Sequence, residues 1–441
     1  MRIGNIKLHN SSYNILCFIG FITPFIALFS GLSLAAFFVI GAILPTVICI
    51  KDGQLKNICT INIYKIIIIF LFYALMSAFW AIDPAQSFKL WYRMVLFTIG
   101  AYSLFYYAKT LSDKQRQKLG EFVACGVAIA IIAANIEIYN DGLLTKFFMA
   151  AIRKPHLYEL VDLNRGAAYL SVMMWPAFAF FLLRAKKIAA ITFLAIGVFT
   201  LFNLESQSSV LALIIGIFTF LFVIVGGKRA LSLIMVLAIL AVPAVAVTAY
   251  KMNPEKVFNI LPNSGNSASE YRLHIWHYAA IKSMDKPVFG WGFNAARSFP
   301  VKESEYVLNG RHPLPLHTHN NVMQLWLELG IIGLLIFVAF LSLSMQAVKG
   351  FAASGNHCHD FKNEPSSCGL ATGASGMDTL IKSKYDVCKK SVKANLPMAL
   401  MTGVIASYFA LGQTGFGMWQ NWWVAGGIFA WFFCYLLLHR K

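Results

Sequence analysis

The chain has 441 residues, of which 58% are hydrophobic and only 13% charged, where a soluble domain carries roughly 25% charged residues. Lys and Arg number 37 against 19 Asp and Glu, a formal charge of +18. These proportions exclude a soluble enzyme, a disordered tail protein and a secreted disulfide scaffold, and they leave a chain that crosses a membrane repeatedly.

Apolar runs long enough to cross a hydrocarbon core ~30 Å thick as helix fall at 13–30, 31–50, 61–80, 90–108, 119–139, 166–183, 188–204, 208–226, 230–250, 322–345, 396–412 and 421–438. The expected fold is an all-α polytopic membrane protein with about twelve transmembrane helices. Every short loop on one side is basic: Arg2 and Lys7; Lys51 and Lys56; Lys109, Lys114, Arg116 and Lys118; Arg184, Lys186 and Lys187; Lys228 and Arg229; and finally Arg440 and Lys441. The positive-inside bias then places both termini in the cytoplasm. The first run sits behind Arg2 and Lys7 like a signal peptide, but a second follows at once, so it reads as an uncleaved span.

The opposite side carries a short loop around Asp83–Lys89, a medium one around 140–165 and a long one around 251–321. The long loop holds Pro254, Pro262, Pro287, Pro300, Pro313 and Pro315 with charges of both signs, so it is expected to be a small, partly helical extracytoplasmic unit. Three regions follow: 1–250 with nine spans and short loops, 251–321 as the loop domain, and 322–441 with three spans and a flexible cytoplasmic loop near 346–395. The Gly-, Ser- and Asn-rich stretch 350–378 is the core of that loop. No cysteine falls in the outer loops, so no disulfide staples them. His357, Cys358, His359 and Cys368 match no closed four-ligand zinc spacing and read as a polar loop.

Six of the ten histidines lie on the outer side, at His156, His274, His277, His312, His317 and His319. With them are Arg93, Arg153, Lys154, Arg165, Arg272, Arg297 and Arg311. An arginine surplus there runs against the usual bias and suits an anionic ligand, because the guanidinium fork fits phosphate oxygens bidentately. Neutral imidazole, with an ordinary pKa near ~6.5, can take a proton from a hydroxyl. Arg165, in Asp162-Leu163-Asn164-Arg165-Gly166, is either such a ligand or a snorkelling residue paired with Asp162 or Glu159. Arg272 lies one helical turn from Trp276 and is either a ligand or half of an ion pair with Glu270 or Asp285. The densest signal is Arg311-His312-Pro313-Leu314-Pro315-Leu316-His317-Thr318-His319-Asn320-Asn321, which runs straight into the tenth span. Its prolines hold the approach extended, Asn320 or Asn321 can cap the helix, and the helix N-terminus offers free N–H groups to an anion.

His319-Asn320, nine residues, then Gly330-Ile331-Ile332-Gly333 resembles the His-Asn-x9-Gly-x-x-Gly signature of O-antigen ligases, and it is placed as in that family. Arg272 with Trp276, and Gly290-Trp291-Gly292, also look like that family's loop. The spacing Arg165-x4-Leu170 departs from the Arg-x3-Leu of some members. The resemblance implies a periplasm-facing, metal-independent membrane glycosyltransferase of the inner membrane. It would move a polysaccharide from undecaprenyl diphosphate to lipid A–core oligosaccharide in lipopolysaccharide biosynthesis. His319, Arg272 and Arg165 are the catalytic groups this implies, with Lys89, Arg93, Asn164, Tyr271, Trp276, Arg311, His312, His317 and Asn320 as substrate contacts. The implied partners are the lipid-linked donor, the lipid A–core acceptor and membrane lipids, with no nucleic acid, no metal and no cofactor.

No Asp-x-Asp triplet occurs in the chain, which fits a lipid-diphosphate donor that needs charge neutralisation rather than a nucleotide-sugar metal. Asp83 is the alternative base. An O-antigen polymerase would use the same donor with a second lipid-linked glycan as acceptor; the His-x9-Gly-x-x-Gly match favours the ligase. A lipid-linked glycan transporter would show repeated halves and midplane charges. A protein O-oligosaccharyltransferase would be a longer chain.

Overall fold

The computed structural model describes residues 3–151, 163–260, 267–308, 310–354 and 375–439. Among them no β-strand occurs, only an isolated bridge between Val307 and Arg311. The helices are α1 (Ile3–Phe29), α2 (Leu34–Lys51), α3 (Asn62–Ser77), α4 (Pro84–Thr110), α5 (Asp113–Tyr139), α6 (Leu143–Ala151) and α7 (Asn164–Leu183). They continue with α8 (Lys187–Asn203), α9 (Gln207–Lys251), α10 (Pro254–Ile260), α11 (Ser267–Asp285), α12 (Asn321–Ser354), α13 (Ser375–Thr414) and α14 (Asn421–Leu438).

Nine of the described helices are long and apolar enough to cross a membrane. At 45 residues α9 is about twice the length one crossing needs. It breaks at Gly227 (φ 56°), where Asn395 of α13 donates to the carbonyl of Ile224 at 3.1 Å. Its two halves are the expected spans 208–226 and 230–250. With α4, made polar by Lys89, Arg93 and its tyrosines, and the shorter apolar α8, the helices match the twelve expected windows. The protein is therefore an all-α, multi-pass membrane protein.

The middle of the bundle is α7, whose residues from Gly166 to Phe180 are all buried. Its Gly, Ala and Ser positions let neighbouring backbones approach closely, which is how helices associate where no water drives them together. Two polar ties fix its rotation: Trp175 Nε1 donates to Ser407 Oγ of α13 at 2.8 Å, and Tyr169 Oη lies 3.2 Å from Thr23 Oγ1 of α1. Because α7 is so fixed, Arg165 in its first turn has a defined place at the bundle end. Its stem covers Gly31, where an added Cβ would lie 2.7 Å from Arg165 Cβ. Glu137, a buried acid in α5, accepts from Leu144 N (2.8 Å) and Thr145 N (3.0 Å) and so caps α6.

The expected loop near 346–395 is partly helical, since α12 runs to Ser354 and α13 starts at Ser375. Its remainder, with His357, Cys358, His359 and Cys368, lies outside the described residues, as do Arg153, Lys154, His156, Glu159 and Asp162. The 251–321 segment is partly helical as expected, through α10, α11 and the short turns Ala295–Ser298 and Glu303–Glu305.

α12 is broken too. At Gly330 the backbone takes φ 63°, ψ −161°, and residues 321–329 form a separate, wholly buried half-helix. The segment 287–292 closes the gap. Trp291 N and Gly292 N donate to the carbonyls of Leu327 (2.9 Å) and Glu328 (2.8 Å), while Ile331 N and Ile332 N donate to those of Pro287 (2.9 Å) and Val288 (3.4 Å). Tyr73 Oη of α3 adds a bond to Leu329 O at 3.1 Å. Unpaired backbone is costly in an apolar interior, and this loop supplies the partners the break removes.

Candidate active site

The site forms where the half-helix 321–329 begins. Pro313 and Pro315 keep the approach out of helix, and the chain enters α12 through His319, whose φ of 54° is left-handed. Asn320 is the N-cap: its Oδ1 accepts from Val322 N (3.0 Å) and Met323 N (3.1 Å), while its Nδ2 donates to Gln413 O at 3.2 Å. The amides of Val322 and Met323 are therefore occupied by Asn320, a correction to the expectation that the helix start stands open to an anion.

His319 Nδ1 lies 2.6 Å from the carbonyl of Gly415, in the turn between α13 and α14. A carbonyl only accepts, so Nδ1 carries the proton and the neutral ring keeps its lone pair on Nε2. Burial lowers the His319 pKa; the Gly415 carbonyl opposes this and Arg272 adds to it. The ring of His317 lies against that of His319, with centroids 4.1 Å apart. Gly417 also lies against His317: a Cβ there would sit 2.8 Å from the His317 side chain. Gln420 Nε2 is 3.4 Å from His317 Nδ1, and His317 Nε2 is buried without a hydrogen-bond partner. Burial, then His319, Arg165, Arg272 and Arg297 together, push the His317 pKa down to about 3.

Three guanidinium groups from separate elements thus bear on the His317 ring, and Arg272 bears on His319 as well. Arg165 comes from the start of α7, Arg272 from α11 and Arg297 from the turn Ala295–Ser298. Arg272 is itself partly withdrawn from solvent, which lowers its pKa. Among the described residues no ion pair joins it to Glu270 or Asp285. Trp276 follows it one turn on and packs half-buried against the core. Asn164 opens α7 beside Arg165.

Other expected contacts are placed differently. Tyr271 Oη donates to His312 O at 2.6 Å, the Arg311 guanidinium lies 5.4 Å above the Tyr271 ring, and Leu314 N donates to His312 Nδ1 at 3.2 Å. These three side chains brace the loop. Lys89 and Arg93 lie exposed on α4, and neither is among the charges acting on His317 or His319. Asp83 N-caps α4, accepting from Gln86 N at 3.0 Å.

Sequence pattern alone does not single out the turn 415–420, which packs against both imidazoles, or set Arg297 apart from the other outer arginines. Nor does it single out Glu328, a carboxylate inside the apolar run 322–345. A lone acid in such a run is nonetheless a signal.

Comparison with known proteins finds similarity across most of the chain. Residues 191–338 match the family model described as O-antigen ligase. A protein of Rickettsia felis named as a polysaccharide ligase is 26% identical over 364 residues, covering 82% of this chain and 77% of that protein. A Rickettsia prowazekii protein of similar name is 25% identical over 432 residues, covering 92% and 93% respectively. The model match spans the region that holds Arg272, His319 and the break at Gly330, and the relatives align over most of their length; over that region the chain is similar to O-antigen ligases.

Proposed function

We propose that the protein transfers a polysaccharide from undecaprenyl diphosphate to lipid A–core oligosaccharide at the periplasmic face of a bacterial inner membrane. The observation that carries this reading is that Arg165, Arg272 and Arg297 all bear electrostatically on His317, whose ring centroid lies 4.1 Å from that of His319. A diphosphate leaving group is a stable anion and needs positive charge more than it needs a proton. A sugar hydroxyl is a weak nucleophile and needs a base.

His319 Nε2 takes the proton of the acceptor hydroxyl as its oxygen attacks the anomeric carbon. The bond from that carbon to the diphosphate oxygen breaks, and its electron pair leaves with the lipid diphosphate, which the arginines hold. One displacement of this kind inverts the anomeric carbon. His317, kept neutral, adds no competing positive charge and supports the His319 ring.

The test is ligation with purified protein, lipid-linked glycan and lipid A–core, with and without chelator. Product that requires lipid A–core and survives chelation supports the reading. Lengthening of the lipid-linked glycan without lipid A–core would replace it with a polymerase, and loss of product on chelation would overturn the metal-free site. Arg272→Gln is expected to lower kcat by about 10²–10³-fold, the usual cost of removing one donor to developing charge; an unchanged kcat would remove Arg272 from the site.

The pH profile follows from the direction of the His319 shift. A lowered pKa keeps the ring unprotonated, so kcat/KM is expected to stay flat as pH falls from 8 and to decline only below the ordinary histidine value of ~6.5. A base limb above ~7 would exclude His319. Below ~6.5 the unfolded chain also binds more protons than the folded one, so acid lowers stability as well. The profile is therefore read only where the melting temperature is constant.

A further inference from the structure

We propose that Glu328 is the positioning residue that sets the His319 ring and the Arg297 turn in register. What it positions rests on the reading above; the relay itself rests on hydrogen bonds. Glu328 is completely buried. Its Oε2 accepts from Asn294 N at 2.9 Å and from Trp419 Nε1 at 2.7 Å, and its Oε1 accepts from Gln324 Nε2 at 3.0 Å. Gln324 Oε1 in turn accepts from Met418 N at 2.9 Å.

Each donor belongs to a segment that carries part of the site. Asn294, left-handed at φ 64°, opens the turn Ala295–Ser298 that bears Arg297. Met418 and Trp419 lie in the turn whose Gly415 carbonyl fixes His319 Nδ1 and whose Gly417 backs His317. Glu328 and Gln324 stand one turn apart on the half-helix that starts just after His319. One carboxylate therefore references both turns to the histidine-bearing helix. Its oxygens are already committed to three donors, so it is a scaffold acceptor and does not meet substrate. An acid this deep in an apolar span persists only where such donors neutralise the cost of burying it.

The relay has a polarity that can be reversed. In Glu328→Gln the new amide N–H₂ faces the Gln324 N–H₂, donor against donor, and Gln324 cannot flip without losing Met418 N. The double variant Gln324→Glu with Glu328→Gln exchanges the two groups. The amide oxygen now at position 328 accepts from Asn294 and Trp419, and its N–H₂ donates to the carboxylate now at position 324. The second oxygen of that carboxylate accepts from Met418, so all four bonds return.

The experiment measures hydrogen exchange at 292–297 and 415–420, and transfer kinetics, in the full-length protein. Glu328→Gln is expected to speed exchange in both segments about tenfold or more, and to lower kcat about 10–100-fold with the acceptor KM within about twofold. The double variant is expected to return both readouts to within about threefold of the parent. Unchanged exchange in Glu328→Gln, or no recovery in the double variant, overturns the relay. Restored exchange with kcat unaffected throughout overturns the link to catalysis. Should the parent transfer no glycan, the proposed function fails while exchange still decides the relay.

Discussion

Replacing His319 with asparagine is expected to lower kcat for glycan transfer by about 10²–10⁴-fold, the usual contribution of a general base. Asparagine is chosen because of the backbone: His319 sits at φ 54°, and Asn visits that region far more readily than Ala. Its Nδ2 can also replace the imidazole N–H that the Gly415 carbonyl accepts at 2.6 Å. What asparagine lacks is a basic lone pair where Nε2 stood. Alanine would remove the base, the bond to Gly415 and the left-handed preference together, confounding chemistry with loop geometry. The melting temperature of His319→Asn in detergent is therefore expected within about 1 °C of the parent, a change of under ~1 kcal/mol for a protein of this size. Retention of more than about a tenth of the activity, with the fold intact, would end the role assigned to this ring.

The arrangement around that ring was legible in part. Composition and loop charge gave the twelve helical passes, because crossing a membrane leaves an unmistakable length and polarity pattern. Asn320 as the cap, and Arg272 with Trp276 a turn apart on one helix, follow from local rules and match the structure. The partner of His319 does not: Gly415 lies 96 residues away, in a Gly-Phe-Gly turn that reads as an ordinary helix connection. Arg311, His312 and Tyr271 carry the same residue chemistry as a ligand site yet brace the loop through a ring contact and a backbone bond. Residue type tells what a side chain can do, while only packing tells what it is already doing. Glu328 is hidden for a related reason, since a window average over Leu, Trp and Ile conceals one acid.

The largest expected effect on the fold is at the break in α12. Gly330→Ala is expected to destabilise the protein by about 3 kcal/mol or more, through two separate costs. At φ 63°, ψ −161° the backbone lies in a region that is essentially glycine's alone, and a side chain there costs about 1–3 kcal/mol. The added Cβ would also lie 2.2 Å from the carbonyl oxygen of Val288 and 2.7 Å from Phe289 N, atoms of the segment that closes the break. Backbone cannot rotate aside as a side-chain tip can. Moving it breaks some of the four bonds between 287–292 and 327–332, at about 0.5–1.5 kcal/mol each and more if the groups stay buried unpaired. Gly333→Ala is the comparison: its Cβ would meet Leu329 Cβ at 2.4 Å, but its backbone is helical and tolerates a side chain. Melting in detergent should rank parent, then Gly333→Ala, then Gly330→Ala, with transfer activity following the same order. The movement reaches the site because Trp291 N and Gly292 N sit just before Asn294 and Arg297. Were Gly330→Ala as stable as the parent, the half-helix would not be held by 287–292, and the place of His319 at its N-terminus would need another cause.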